Sequence, residues 1–231
     1  LDVHLGDLKQ AIETLDAALK RAHELEYEAA ITRLEVNIAA SKGLAGHHRL
    51  EVTASLAGAR RFEELKRPGD QALALLGAGQ ALVRLDRLEA AETVFHEAES
   101  IFRVLKDKRG RNAALACHAR LRLKREDNEL DAHALESLCE RLEKAGDVSV
   151  ALGHRLALSQ RRSASNAQSE EVAERASTMG MWPIEQAARA WLLAAGGHEP
   201  TELAQEAEER GYLTLASDIR GYPLGDIARD E

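Results

Sequence analysis

Apolar residues recur at three- and four-residue spacing along nearly the whole chain, as in Leu75, Ala78, Gly79 and Leu82. That spacing places them on one stripe of a helix. Glycines and prolines interrupt the pattern at intervals, and the interruptions predict twelve helices. They fall near 7–25, 27–43, 48–66, 70–85, 87–106, 110–126, 129–145, 147–162, 168–179, 182–195, 200–210 and 212–220. Ala and Leu supply most of the apolar side chains, and aromatics are only 3%. Such a mix favours closely packed helices over sheet. Short junctions force consecutive helices to run antiparallel. The predicted fold is therefore all-α.

The helices repeat. Leu25, Leu65, Leu105 and Ala145 each end a predicted helix and are spaced by 40 residues. Ala22, Phe62, Phe102 and Leu142 make a second column, and Ala18, Gly58, Ala98 and Leu138 a third. A fourth, Ile38, Ala78, His118 and Leu158, contains one polar residue. Beyond residue 145 the glycines Gly146, Gly180 and Gly211 continue the pattern at spacings of 34 and 31. About six helix pairs result, none able to bury its apolar face alone, so neighbours must stack as a solenoid. The expected organisation is a block of long repeats over 1–162, a polar linker over 163–169, shorter degenerate repeats over 170–220, and a tail over 221–231. Pro68, Pro183, Pro200 and Pro223 fall at helix starts or past helix ends. Gly58, Gly77, Gly79 and Gly153 fall inside helices, which points to close packing. The chain opens on Leu1 directly before a helix pattern, so it reads as part of a longer protein.

Gly6-Asp7-Leu8, Ala11, Leu15 and Ala18 resemble the second half of a tetratricopeptide repeat, and Leu75, Ala78, Gly79, Leu82, Ala91, Phe95 and Ala98 resemble a complete one. The 40-residue unit exceeds that family's usual 34 and is similar to the longer kinesin-light-chain-like and MalT-like repeats of signalling regulators. The resemblance implies a right-handed superhelix of antiparallel helix pairs. It also implies a concave groove, lined by the first helix of each pair, that binds a partner segment. Carried onto two consecutive units, the groove positions are Leu73, Leu76, Gln80, Val83 and Arg84, then Ala113, Ala116, Arg120, Leu123 and Lys124.

Spacing supports that face independently. Arg120 and Lys124 lie one helical turn apart. Gln80 and Arg120, like Arg84 and Lys124, are one 40-residue repeat apart and become lateral neighbours on stacking. Arg84, Arg120 and Lys124 thus make a cationic strip between Leu73, Val83 and Leu123, suited to a partner with acidic and apolar side chains. The expected function is non-catalytic protein–protein interaction within a signalling protein. The alternative is a small-molecule or peptide sensor whose superhelix changes pitch on binding. The plain reading of the strip is solvated surface charge.

Net charge is −8 at a pI of about 5.7, which argues against non-specific binding to nucleic acid or anionic membrane. Residues 103–125 hold nine basic side chains against Asp107 alone, and 199–210 hold five acids against Arg210. This asymmetry allows head-to-tail self-association. The basic segment lacks the aromatics that single-stranded nucleic acid requires. No phosphate-binding glycine loop occurs. Cys117, His118 and Cys139 offer no recognised ligand spacing, with His133 and His154 as the next candidates, so no metal or cofactor is expected. His118 is expected as a partly buried, hydrogen-bonded histidine, and Trp182 and Trp191 as core residues. With no signal peptide and no apolar run of membrane length, a cytoplasmic location is the default.

Overall fold

A computed structural model describes residues 8–125, 129–161 and 166–222. The helices run in chain order: α1 (Leu8–Glu24), α2 (Glu28–Leu44), α3 (His48–Glu64), α4 (Pro68–Arg84), α5 (Leu88–Val104), α6 (Lys108–Arg125), α7 (Glu129–Lys144), α8 (Val148–Ser159), α9 (Asn166–Thr178), α10 (Trp182–Ala195), α11 (Thr201–Glu209) and α12 (Leu213–Arg220). Among the described residues there is no strand. Each helix packs on its successor, giving an all-α solenoid of about six pairs.

One local device sets the repeat. Glu26, Gly46, Lys66, Asp86, Lys106 and Gly146 all have positive φ, and the first five are spaced by 20 residues. Each follows a helix end and lies two residues before the next helix. At the Lys66 turn, Arg67 N–H donates to Phe62 O at 2.8 Å and Lys66 N–H donates to Glu63 O at 2.9 Å. These two bonds satisfy carbonyls that the ending helix leaves open. The same pair recurs at the Glu26, Gly46, Asp86, Lys106, Gly146, Gly180, Gly197 and Gly211 turns. The 40-residue period is thus two near-identical helix-and-turn units. A non-glycine residue in the left-handed region costs about 1 kcal/mol, and Glu26, Lys66, Asp86 and Lys106 all accept that strain.

The repeat columns explain the core. Ala22, Phe62, Phe102 and Leu142 are all buried, each just before its turn. In the third column Gly58, Ala98 and Leu138 are buried, whereas Ala18 is exposed. The largest cluster spans α3 to α6 around Phe62, Phe95, Phe102 and Leu121. A second joins α6, α7 and α8 around Leu135, Leu138 and Leu142. Ion pairs tie neighbouring helices at a constant offset: Glu28 to Arg61 at 2.6 Å, Glu51 to Arg84 at 3.1 Å and Glu92 to Arg125 at 2.8 Å, each 33 residues apart. Exposed pairs of this kind are worth under about 1 kcal/mol. The Glu51 carboxylate is different, because it is buried.

The solenoid returns on itself. Leu8 and Ile12 of α1 share a buried cluster with Ala207, Tyr212, Ala216 and Trp182, and α12 packs against α2. Thr214 Oγ1 donates to Gly43 O at 3.1 Å across this junction. Trp182 stacks near Tyr212 with ring centres 5.6 Å apart, while the Arg210 guanidinium covers its ring at 4.4 Å. First and last units therefore cover each other's apolar faces.

Two expectations need correction. The segment 163–169 is not all linker: α9 begins at Asn166, and Ser169 is buried, donating to Ser159 O at 3.2 Å. The hydrogen bond fixes α9 to the end of α8 one turn earlier than the polar composition suggested. Residues 163–165 lie outside the described residues, as do Gly6, Asp7 and Pro223. The helix-interior glycines also divide. A Cβ at Gly58 would strike Val36 and one at Gly79 would strike the Phe95 ring, so these two serve close packing. Gly77 has only ordinary contact with Ser55 at 3.7 Å, and a Cβ at Gly153 would meet nothing within 4 Å. Of these four, packing therefore accounts for Gly58 and Gly79. Gly79→Ala should lower the unfolding free energy by about 1–3 kcal/mol through overpacking. Gly153→Ala should raise it by about 0.5–1 kcal/mol through helix propensity. Denaturant titration of the two variants beside wild type checks both signs.

Candidate functional site

The even-numbered helices end on one side of the solenoid, and their last turns carry its basic side chains. Arg84 closes α4, Arg120 and Lys124 stand in the last turns of α6, and Arg161 follows α8. Helix C-termini carry partial negative charge, which favours cations there. Together with α12, these ends enclose a cavity of about 890 Å³. Val83, Leu123, Ala157 and Leu213 give it apolar wall. His48, Arg84, Arg120, Lys124, Gln160 and Asp218 give it polar wall.

Most of these cations have partners. Arg84 donates to both oxygens of Glu51, at 3.2 and 3.1 Å. Burial pushes the Glu51 carboxyl up, and Arg84 opposes that shift. Lys124 Nζ donates to Val83 O at 3.1 Å and lies 3.4 Å from Asp86. Arg120 stands apart. It forms no hydrogen bond or ion pair among the described residues, although solvent in the cavity reaches it. Protein encloses its surroundings, and the resulting desolvation draws its guanidinium below the usual value, with Arg84 acting in the same direction. Asp218 faces the same cationic group from α12. Burial raises its carboxyl, while Arg84, Arg120 and Lys124 pull it back.

The floor beneath Arg120 is neutral. Gln80 Nε2 lies 3.7 Å from Cys117 Sγ, and burial pushes that thiol up. His154 on α8 is buried, its Nδ1 has no partner, and burial followed by Arg120 lowers its pKa to about 3. Cys139, in the separate α6–α8 cluster, is pushed up to about 11 by burial. Both thiols are therefore protonated near neutrality, and neither is activated as a nucleophile.

The expected groove residues separate into four groups. Val83, Arg84, Arg120, Leu123 and Lys124 line the cavity together. Leu73 and Ala113 line a second cavity, about 780 Å³, at the opposite ends of the same helices. Gln80 lies between them on Cys117. Leu76 and Ala116 are buried in the core and face no groove, because the neighbouring helices cover them. The sequence reading missed His48 and Gln160, and also Thr214, Ser217 and Asp218, which α12 brings to the cavity as the last unit returns to the first. It also missed Glu51, although the 33-residue offset of Glu28 and Arg61 repeats in Glu51 and Arg84. The remaining basic segment is mostly paired: Arg109 with Asp147, Arg111 with Glu99, Arg122 with Asp131 and Arg125 with Glu92.

Comparison with family models, curated proteins and solved structures finds no match to this chain. Among the described residues, no helix is long and apolar enough to cross a membrane.

His154 gives the site a measurable pH signature. Its folded pKa lies below its unfolded value of 6.5, so the unfolded chain binds more protons between pH 6.5 and about 3. Stability is then greatest above pH 6.5 and falls as the pH drops through that window. Relative to a His154→Leu variant, wild type should lose about 1.4 kcal/mol per pH unit between pH 6 and 5. Urea unfolding of both proteins across that range reads the difference.

Proposed function

We propose that the chain is a non-catalytic interaction module that takes an acidic, partly apolar segment of a protein partner in the Arg84–Arg120–Lys124 cavity. It would act as the sensor or scaffold part of a larger signalling protein. Arg120 carries the reading. Its guanidinium reaches the cavity solvent, makes no hydrogen bond or ion pair among the described residues, and is influenced by Asp218 without contacting it. A carboxylate arriving beside it would form a charge-assisted, bidentate contact. The apolar wall of Val83, Leu123 and Leu213 suits the apolar side chains of such a segment. Asp218, opposite, would select against excess negative charge and accept a donor from the segment. The resemblance to tetratricopeptide repeats supports the same mode of action.

A second reading, a sensor of a small anionic ligand, draws on the cavity's size. About 890 Å³ lies within the 300–1,000 Å³ typical of small-ligand sites. The α12 wall also belongs to the junction with α2, so an occupant pressing on it would bear on closure of the solenoid.

Fluorescence anisotropy with labelled peptides of alternating glutamate and leucine tests the first reading, with lysine–leucine peptides as the control. Wild type should prefer the acidic set, weaken as salt rises, and lose about tenfold or more in affinity on Arg120→Gln. Arg120 makes no hydrogen bond or ion pair among the described residues, so this variant should fold as wild type does. Equal binding of both peptide sets, or no effect of Arg120→Gln, would remove the proposal. A rise in the thermal midpoint with inorganic phosphate or succinate, without peptide binding and lost in Arg120→Gln, would select the small-ligand reading.

A further inference from the structure

A second cluster lies between α5 and α6, outside the cavity and sharing none of its residues. Glu92 and His96 stand one turn apart on α5, and His118 faces them from α6. One ligand atom from each lies within 4.8 Å of the others. His118 is 4% exposed, and its Nε2 has no hydrogen-bond partner. The two imidazole rings stack obliquely with centres 4.1 Å apart, and Phe95 holds the His118 ring by an edge contact at 5.7 Å. A buried, unpartnered imidazole nitrogen costs free energy unless something satisfies it. The expectation of a hydrogen-bonded core histidine at position 118 thus meets the burial and lacks the bond at Nε2.

We infer that Glu92, His96 and His118 bind a divalent transition metal of the zinc class, clasping α5 to α6. Two imidazoles and one carboxylate are a zinc-type donor set, whereas calcium and magnesium call for oxygen alone. Ligand atoms around a tetrahedral zinc lie about 3.3 Å apart, given bonds near 2.1 Å. Closing the remaining gap calls on the side chains of exposed His96 and half-buried Glu92. Exposed His96 also marks the path of entry. Arg125 holds only Oε2 of Glu92, at 2.8 Å, which leaves the other carboxylate oxygen for the ion. Burial, reinforced by His96, lowers the His118 pKa, so the ring is in the neutral form that a metal needs. Three protein ligands leave a fourth position for water or a side chain of a partner. A pocket of about 310 Å³ bordered by His96, His118, Arg122 and Arg141 adjoins that position.

The test uses the full chain, free of any affinity tag and stripped with a chelator, titrated with cobalt(II) and then zinc(II). Cobalt should bind one to one with visible absorption of four- or five-coordinate geometry, and zinc should displace it. His96→Ala should weaken binding about a hundredfold or more, since loss of even an outer-shell partner costs about 10–100-fold. Glu92→Gln should weaken it in the same direction, and His198→Ala should leave it unchanged. Both cluster variants alter side chains that are not fully buried, so circular dichroism should match wild type. Failure of wild type to take up cobalt saturably, or one-to-one binding undiminished in His96→Ala, would overturn the assignment. Neither outcome bears on the peptide-binding cavity, whose residues are separate.

Discussion

Each helix in the first half of the chain has to stop after 17 or so residues and reverse within three, and a single left-handed residue makes that reversal. The two backbone bonds around it satisfy carbonyls of the finished helix and start the next helix two residues later. No side-chain cap is needed at most starts, as at Tyr27, His47, Arg67 and Arg87. Asp107 is an exception, accepting from Gly110 N–H at 3.0 Å. Because the turn is the same each time, alternate helices end on the same side. Both sides carry C-terminal partial charges, and basic residues answer them at helix ends on each, as Arg61 and Arg103 do on one side and Arg84 and Lys124 on the other.

A solenoid has two apolar end faces that stacking alone cannot cover. Here the last unit covers the first, with Leu8, Tyr212 and Ala216 buried at the junction. The aromatic residues, few as they are, concentrate at such places: Tyr212 and Trp182 in the closure, and Trp191 against Tyr222 at the last helix. Tyr222 also accepts a bond from Gln160 Nε2 at 2.8 Å, joining the end of α8 to the end of α12. The same return that covers the end faces brings Asp218 and Thr214 over the cationic ends of α4 and α6. Closure and cavity are one event in the fold.

Much of the fold was legible in the sequence because its signals are local or periodic. Phe62, Phe102 and Leu142 mark helix ends by apolarity, and glycine marks several turns. The half-period escaped notice because the left-handed residue is Glu, Lys or Asp at four turns, so no glycine announced it. Gly77 and Gly79 look alike in sequence, yet only Gly79 lies under an aromatic ring; neighbours in space, absent from local pattern, decide which one is needed. The site was half legible for the same reason. Arg84, Arg120 and Lys124 follow from spacing within adjacent repeats, whereas Asp218 and Thr214 arrive from 90 or more residues away. Their approach depends on the summed rotation of every intervening pair, which no short motif encodes.

Helix-end charge favours cations at the cavity, but it does not account for all of them equally. Arg84 compensates the end of α4 and also neutralises Glu51, whose buried carboxylate requires a partner. Lys124 caps a carbonyl at the end of α4 as well as standing at the end of its own helix. Both would be retained for stability with no ligand at all. Arg120 meets neither need: among the described residues it forms no ion pair and bonds no carbonyl, Asp218 acts on it without contact, and it stands over neutral Cys117 and His154. The proposed binding role rests on this difference: Arg84 and Lys124 are already partnered, and Arg120 faces the cavity without a bond among the described residues. The His96–His118 pair differs in kind, since its unmet demand is a lone buried nitrogen, and the occupant that answers it is a cation.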